Sequence, residues 1–480
     1  MSYKKFTQDI GILGLVQLLN ILSGLIVLPV ITKILGAENY GVWTQITVTS
    51  GLISSIAVLG LPFALVRFLA GEKDKKEIQD GVWSVFTLIF CITIVISSIL
   101  IFFSAPISKF FGCDKIFIPI LGLIIIFGCL NQLFLNIFRT FQEIKKLSFL
   151  NIVAGLGESG LAILAIFLGY RLLGAILSLL IVQIIMFLIM GALIVKRVGI
   201  AVPKFLKIKE YLLFSLPAEI SEIFLWVVQS SDKYFIGFFL GTIFVGYYAP
   251  AYTLGCVLFY FLGPVMFLLP AILAKHHDEN EIEKVKNYLK YSLKYFLMLA
   301  MPSVFGLSIL SKQLLTIFST AEIAQQSYNV VPLVALSFLL LGFCTIADQI
   351  IGLKKKTKIS GGIWFIAAFL NFGLNFIFVP RFGIFGAAVT TLLAYACATA
   401  LTWYYAMKEI QFEVDWQFIL KSIFASFLMG LFIIWIKPIG FRSVITVITL
   451  SVLIYAILIF LLKSFEKKEL EFVKTFFKGD

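Results

Sequence analysis

Apolar residues run along this chain in blocks of about 20, separated by short polar and charged segments. A helix needs about 20 apolar residues to cross the hydrocarbon core of a bilayer. Blocks of that kind fall at roughly 9–31, 41–66, 82–104, 116–138, 148–169, 172–195, 211–230, 245–272, 290–310, 330–351, 361–379, 384–407, 419–437 and 443–462. The pattern predicts an all-α polytopic membrane protein of about 14 transmembrane helices. The Phe- and Ile-rich stretch from Ser231 to Gly246 fits either a re-entrant turn or an extension of its neighbours.

Composition agrees with that pattern. Of 480 residues 60% are hydrophobic and 14% charged, with a mean hydropathy of +1.03, whereas soluble proteins carry about 25% charged residues. No water-facing fold of this length hides so much apolar surface. Lys4 and Lys5 ahead of the apolar run from Ile10 to Ile31 have the outline of a signal peptide. The run is too long and lacks a small-x-small cleavage site, so it reads as a retained first helix. Of the six cysteines only Cys113 lies outside a predicted span, and no CxxC pair or metal-ligand spacing occurs.

The net charge of +13 raises nucleic acid as a partner, but the distribution of the charges argues against it. With the N-terminus inside, roughly 30 of the 39 basic residues fall on inner segments and roughly 9 on outer ones, as the positive-inside rule requires. Moving any span by one spoils that division. The expectation is a cell (cytoplasmic) membrane protein with both termini cytoplasmic, in contact with membrane lipid and not with nucleic acid.

The chain also repeats. Leu35-Gly36 through Gly41 returns as Leu240-Gly241 through Gly246, Lys146-Leu147-Ser148 as Lys358-Ile359-Ser360, and Arg171 through Ala175 as Arg381 through Ala387 with a two-residue insertion. The spacing, roughly 205–212 residues, suits a duplicated six-helix unit. An even helix count puts both copies in the same direction, so the repeat is parallel. The domains expected are a first six-helix lobe at 1–210, a second at 211–407, and two additional helices with a cytoplasmic tail at 408–480.

The LG-x4-G turn after the first helix, Ser231-Asp232-Lys233 after the seventh and the R-x-x-G-A turns resemble the polysaccharide transport branch of the multidrug/oligosaccharidyl-lipid/polysaccharide exporter superfamily, which includes the O-antigen-type oligosaccharide flippases. The likeness covers nearly the whole chain. It implies two six-helix lobes around a central cavity, alternating access, and translocation of a lipid-linked oligosaccharide. Drug exporters of the superfamily usually stop at twelve helices, so the extra pair favours the flippase branch.

Ionisable groups inside a bilayer cost a few kcal/mol at mid-depth. Glu158 lies near the middle of its span, while Glu219 and Glu222 stand three residues apart on one helical face. These three are candidates for coupling transport to a proton or sodium gradient; the alternative is that neighbouring helices simply hydrogen-bond them. A diphosphate-linked substrate calls for cations, and the candidates are Arg67, Arg139, Lys33 and Lys233 at span ends, where residues also anchor topology. Asn20, Asn371 and Asn375 are candidates for a polar cavity lining, with interhelical hydrogen bonding as the alternative. Asp232 beside Lys233 reads as a gate or as an ion pair that steadies a turn.

No P-loop, HExxH or GxSxG is present, and the adjacent His276 and His277 sit in a charged loop. The expectation is therefore no catalysis, no metal and no cofactor, with polysaccharide assembly proteins as further partners. A cation-coupled multidrug exporter is the alternative function, and a membrane-embedded glycan transferase a remote one.

Overall fold

The computed structural model describes residues 3–465, and among them every regular element is a helix. Lipid offers no hydrogen bonds, so a spanning backbone must satisfy its own, which a helix does within one segment. The helices are α1 (Tyr3–Val58), α2 (Leu61–Leu69), α3 (Lys75–Phe102), α4 (Ser104–Phe111), α5 (Phe117–Thr140), α6 (Ile144–Ala165), α7 (Arg171–Val198), α8 (Ile208–Phe239) and α9 (Thr242–Gly255). They continue as α10 (Gly263–Asp278), α11 (Ile282–Ile309), α12 (Ser311–Phe318), α13 (Ala321–Ser327), α14 (Val330–Leu353), α15 (Thr357–Glu409), α16 (Trp416–Ile436) and α17 (Phe441–Leu461).

Eleven helical stretches among the described residues are long and apolar enough to cross a membrane. Three are far longer than one crossing requires: α1 with 56 residues, Ile144–Val198 with 55 and α15 with 53. At 1.5 Å per residue each would extend roughly 80 Å if straight. Each instead breaks at a left-handed glycine, Gly36 (φ 81°), Gly169 (φ 89°) or Gly383 (φ 63°), a backbone state that costs glycine little. The halves on either side have the length of a single span.

The structure departs from the sequence expectations at three places and decides between two readings at a fourth. The span at 41–66 breaks at Leu59 and Gly60, both at positive φ, and α2 restarts with Pro62 in its first turn, where a missing N–H does no harm. The span at 245–272 comprises α9, a 3-10 stretch at Cys256–Leu262 and α10. The Ser231–Gly246 stretch is an extension: α8 continues to Phe239 and turns at Gly241 into α9. Finally, α4, α12 and α13 have seven or eight residues each, too few to register as apolar blocks.

Contacts divide the chain into two compact units. The first holds residues 1–249, 318–320 and 364–387. Its spine is α5, with 15 of 24 residues buried, packed against α1, α2, α3 and α7; α6 lies against α1 and α7, and α8 against α1 and α2. The second unit holds residues 250–317, 321–363 and 388–480. There α14 is covered by α10 and α11, α11 packs on α16, and α16 on α17. The repeat and the contact units therefore divide the chain at different points, since α8 opens the second copy of the repeat yet packs on α1 and α2.

The duplicated LG-x4-G turns meet within the first unit. A Cβ on Gly41 would collide with the carbonyl of Thr242, and a Cβ on Gly246 with the carbonyl of Ala37. In the repeat, Gly41 corresponds to Gly246 and Ala37 to Thr242, so the two contacts are equivalent and reciprocal. Gly36 and Gly241, also equivalent, are both left-handed. Thr242 Oγ1 further donates to the Phe111 carbonyl at 2.7 Å, which ties in the end of α4.

Backbone cannot give way as a flexible side chain does. Replacing Gly41 or Gly246 with Val should destabilise the protein by about 1–3 kcal/mol, the usual range for overpacking. Gly24→Ala, where nothing lies within 4 Å of the new methyl, should leave the thermal midpoint of the detergent-purified protein unchanged. Equal midpoints for all three variants would refute the close contact.

Candidate functional site

Helix α8 carries a file of polar side chains through the first unit. Near its start Ser215 Oγ donates to the Leu59 carbonyl at 2.7 Å, which satisfies the backbone at the α1–α2 break. One turn on, Ser55 Oγ donates to Glu219 Oε1 at 2.6 Å. Gly60 makes room for this approach, because a Cβ there would crowd both Ser215 and Glu219. Glu222 lies on the same face, as its spacing predicts, and is exposed on the protein surface. Further along, the hydroxyls of Tyr234 and Thr49 on α1 are 2.8 Å apart.

The densest polar cluster lies near the end of α8. Asp232 is fully buried and Lys233 nearly so. Asp232 Oδ1 accepts from the Lys233 backbone N–H at 2.7 Å and from its Nζ at 3.1 Å, while Oδ2 accepts from the Tyr248 hydroxyl at 2.5 Å. Lys233 Nζ also donates to the Gln229 carbonyl at 3.0 Å. This corrects two expectations: the pair lies inside a helix and not at a turn, and Lys233 is a buried, neutralised cation, not an open helix-end charge. Neighbouring Ser231 donates to Asn371 Oδ1 at 3.0 Å, as does Asn375 Nδ2 at 3.1 Å.

Asn371 and Asn375 are both fully buried, on the first half of α15. Asn371 Nδ2 and both polar atoms of buried Gln45 have no hydrogen-bond partner among the described residues. Gln45 lies against Gly237 on α8, where a Cβ would meet its amide. Unsatisfied buried amides are uncommon in native structures. The Asn20 side chain falls outside the described residues.

A second cluster joins three other helices of the same unit. Gln183 Nε2 of α7 donates to Glu158 Oε1 of α6 at 2.7 Å. Asn131 Nδ2 of α5 donates to Gln183 Oε1 at 2.6 Å and to its carbonyl at 2.8 Å. Glu158 stands 14 residues from the start of α6, roughly 21 Å along it, and 12 before Tyr170, where the chain reverses. The hydrogen bonds of Glu158 run to Gln183, and those of Glu219 to Ser55; none among the described residues links the two acids.

The other candidate phosphate ligands lie at helix ends. Arg67 and Arg139 are in the last turns of α2 and α5 and are exposed, a position the helix dipole favours for a cation. Lys33 is exposed on α1, three residues before the Gly36 break.

Sequence reasoning missed two charges within the second unit, Lys294, which is buried, and Asp348, which is half-buried. Lys294 of α11 lies 3.7 Å from Asp415 Oδ2 and 5.2 Å from the Phe418 ring centroid. Asp348 of α14 accepts from Ser360 Oγ at 2.5 Å. Asp348 satisfies the criterion that selected Glu158, an acid within an apolar block, so that signal was present in the sequence.

His276 and His277, expected in a loop, lie in the last turn of α10, and ligand atoms of His276, Glu279 and Glu281 lie within 4.8 Å of one another. Hydrogen bonds from Lys284 and then His276 hold the Glu281 carboxyl below its ordinary pKa. Lys284 Nζ is 2.6 Å from that carboxylate, so an ion-paired loop accounts for the group.

Removing one partner of a buried ion pair leaves an uncompensated charge, at a typical cost of 3–5 kcal/mol. Asp232→Ala and Lys233→Met should each lower stability by about 3 kcal/mol. The double variant should recover most of that loss. A double variant as unstable as the sum of the singles in thermal unfolding would show that the two charges are not coupled.

Comparison with known proteins follows the same lines. The profile of a family described as "Polysaccharide biosynthesis protein" matches residues 6–276, and that of "Lipid II flippase MurJ" matches residues 240–456. A Haloferax volcanii protein, "Probable low-salt glycan biosynthesis flippase Agl15", is 24% identical over 404 residues, covering 82% of this chain and 83% of its own. Among solved structures, lipid II flippase MurJ in an inward closed conformation aligns with a TM-score of 0.76 at 18% identity, over 92% of this chain and 97% of that one. An inward-facing multidrug resistance MATE family transporter of the MOP superfamily gives 0.66 at 16% identity, over 82% and 94%. At these identities the two structures speak for the fold.

Proposed function

This chain belongs to the polysaccharide biosynthesis protein family, and from that premise we propose that it is a flippase carrying a lipid-linked oligosaccharide across the cytoplasmic membrane by alternating access. The observation that carries the proposal is the 404-residue match to a relative named as a glycan biosynthesis flippase. The polar file on α8 supports it, because a glycan passing through lipid needs hydrogen-bonding groups that the apolar surface cannot offer. The likeness in fold to a lipid II flippase points the same way. Transport without catalysis is the reading that fits these relatives.

In this scheme fourteen helices span the membrane with both termini cytoplasmic. The lobes are 1–210 and 211–407, and 408–480 adds two helices and a tail. Glu158, held by Gln183 and Asn131, is the first candidate for the group that couples movement to a proton or sodium gradient. Glu219 and Glu222 on α8 are the others. Arg67, Arg139 and Lys33 are the candidate cations for a substrate diphosphate; Lys233 is paired with Asp232 and acts as a positioning residue. Asn371 and Asn375 offer amides to the sugar. Polysaccharide assembly proteins are the expected protein partners.

A cation-coupled multidrug exporter is the second reading, favoured by the similarity in fold to a multidrug resistance transporter. The two separate in the native host. Deleting the gene should cause lipid-linked oligosaccharide to accumulate, measured by mass, with loss of surface glycan restored by the wild-type gene. Unchanged glycan with new sensitivity to cationic drugs would replace the flippase by the exporter. Complementation with Glu158→Gln should restore surface glycan at least about 10-fold more slowly, the factor that 1.4 kcal/mol of barrier produces. Full restoration would remove Glu158 from coupling and leave the flippase assignment standing.

A further inference from the structure

Where α1 and α8 meet in the first unit, an aromatic ring stands among polar groups that the fold leaves unused. Glu222, Trp226 and Gln229 occur at i, i+4 and i+7 on α8, which puts them on one helical face over roughly 10 Å. Glu222 is exposed, and Trp226 and Gln229 are half-buried. Among the described residues the Glu222 carboxylate, the Trp226 Nε1–H and the Gln229 amide have no hydrogen-bond partner. Acids within membrane spans face a water-filled cavity or the bundle interior and not lipid, so this exposed face borders water.

The opposing residue on α1 is Gly51. A Cβ there would meet only Trp226 among the described residues, its Nε1 at an ordinary contact distance of 3.6 Å. Unlike Gly41 and Gly60, then, Gly51 relieves no clash, and its backbone is helical. Glycine in a helix interior is unfavourable; here it leaves the edge of the indole uncovered. The Tyr234 ring, 6.2 Å away between centroids and bonded to Thr49, steadies the indole from the other side.

A pyranose has a face of C–H groups and a rim of hydroxyls. An indole offers the face a flat apolar surface, while the rim needs both acceptors and donors. The carboxylate accepts, the amide does both and the indole N–H donates.

We propose that Glu222, Trp226 and Gln229 form a glycan subsite. A sugar ring of the substrate packs on the indole, and its hydroxyls bond the carboxylate and the amide. Gly51 keeps the ring accessible. The subsite rests on the flippase reading and supplies it with a residue that selects the sugar; coupling then falls to Glu158 or Glu219.

The test uses the full-length protein in neutral detergent, with bound lipid counted by native mass spectrometry. The probes are lipid-linked oligosaccharide extracted from the deletion strain and polyprenyl diphosphate without glycan. Wild type should bind the glycan-bearing lipid more tightly. Trp226→Leu should weaken that binding about 10-fold and leave the bare diphosphate unchanged, whereas Trp226→Phe should retain most of it. Gly51→Leu should also weaken glycan binding, with a thermal midpoint no lower than wild type, which keeps the test decisive should Trp226→Leu misfold. Undiminished binding of the glycan-bearing lipid by folded Trp226→Leu or by Gly51→Leu would overturn the subsite. Equal loss of both lipids in Trp226→Leu would make Trp226 a packing residue and overturn it too, with the flippase reading intact. A deletion strain that accumulates no such lipid, or a wild type that binds neither probe, would remove the flippase reading and the subsite together.

Discussion

Lipid supplies no hydrogen bonds, and most of this structure answers that constraint. Backbone groups are satisfied inside helices, so reversals fall where a helix can end without stranding them, at left-handed residues such as Gly36, Gly169 and Gly383. Polar side chains obey the same rule. Thr32, Thr93, Ser178 and Ser337 return their hydroxyls to carbonyls four residues earlier on their own helices. Others find partners across helices, and these cross-links gather on α8 and around Gln183, while Gln45 and Asn371 Nδ2 have none among the described residues. The polar clusters are thus a small part of the molecule, with their geometry set by the apolar bulk around them.

Within the first unit, α8 and the second half of α1 form one composite element. Ser55 meets Glu219, Thr49 meets Tyr234 and Gln45 lies against Gly237. The contacts run in opposite directions along the two helices, from Ser55 to Gln45 on α1 and from Glu219 to Gly237 on α8. Small residues allow close approach between membrane helices, and hydroxyls and amides add bonds of modest strength. The fully buried Asp232 hardly shifts this balance, because Lys233 and Tyr248 between them satisfy both of its carboxylate oxygens.

Much of this was legible from the chain because membrane helices are written as long apolar blocks. The repeat was legible because its turns need glycine. Glu158 stood out as an acid within such a block. Gln183 and Asn131 did not stand out as its partners, because they lie 25 and 27 residues away along the chain on other helices. Lys233 was visible yet misplaced at a turn: a local drop in hydropathy reads as the end of a span, whereas the neighbouring carboxylate lets the helix continue to Phe239. Lys294 escaped as Gln183 and Asn131 did, its partner Asp415 lying more than a hundred residues further on. The break at Leu59–Gly60 has only Gly60 and Pro62 to announce it, within an otherwise continuous apolar run.

The reciprocal seating of Gly41 on Thr242 and Gly246 on Ala37 bears on how such a chain can arise. A contact in which each side presents the same surface to the other is the isologous kind, and it needs only one surface design. Two separate six-helix chains with a single LG-x4-G turn apiece could form it with no change of sequence. Joining them end to end would preserve the contact and then free each copy to diverge elsewhere. The turn is where divergence is least free, because a bulkier residue in either copy is felt by the other. These glycines would therefore be slow to lose the imprint of a symmetric ancestor.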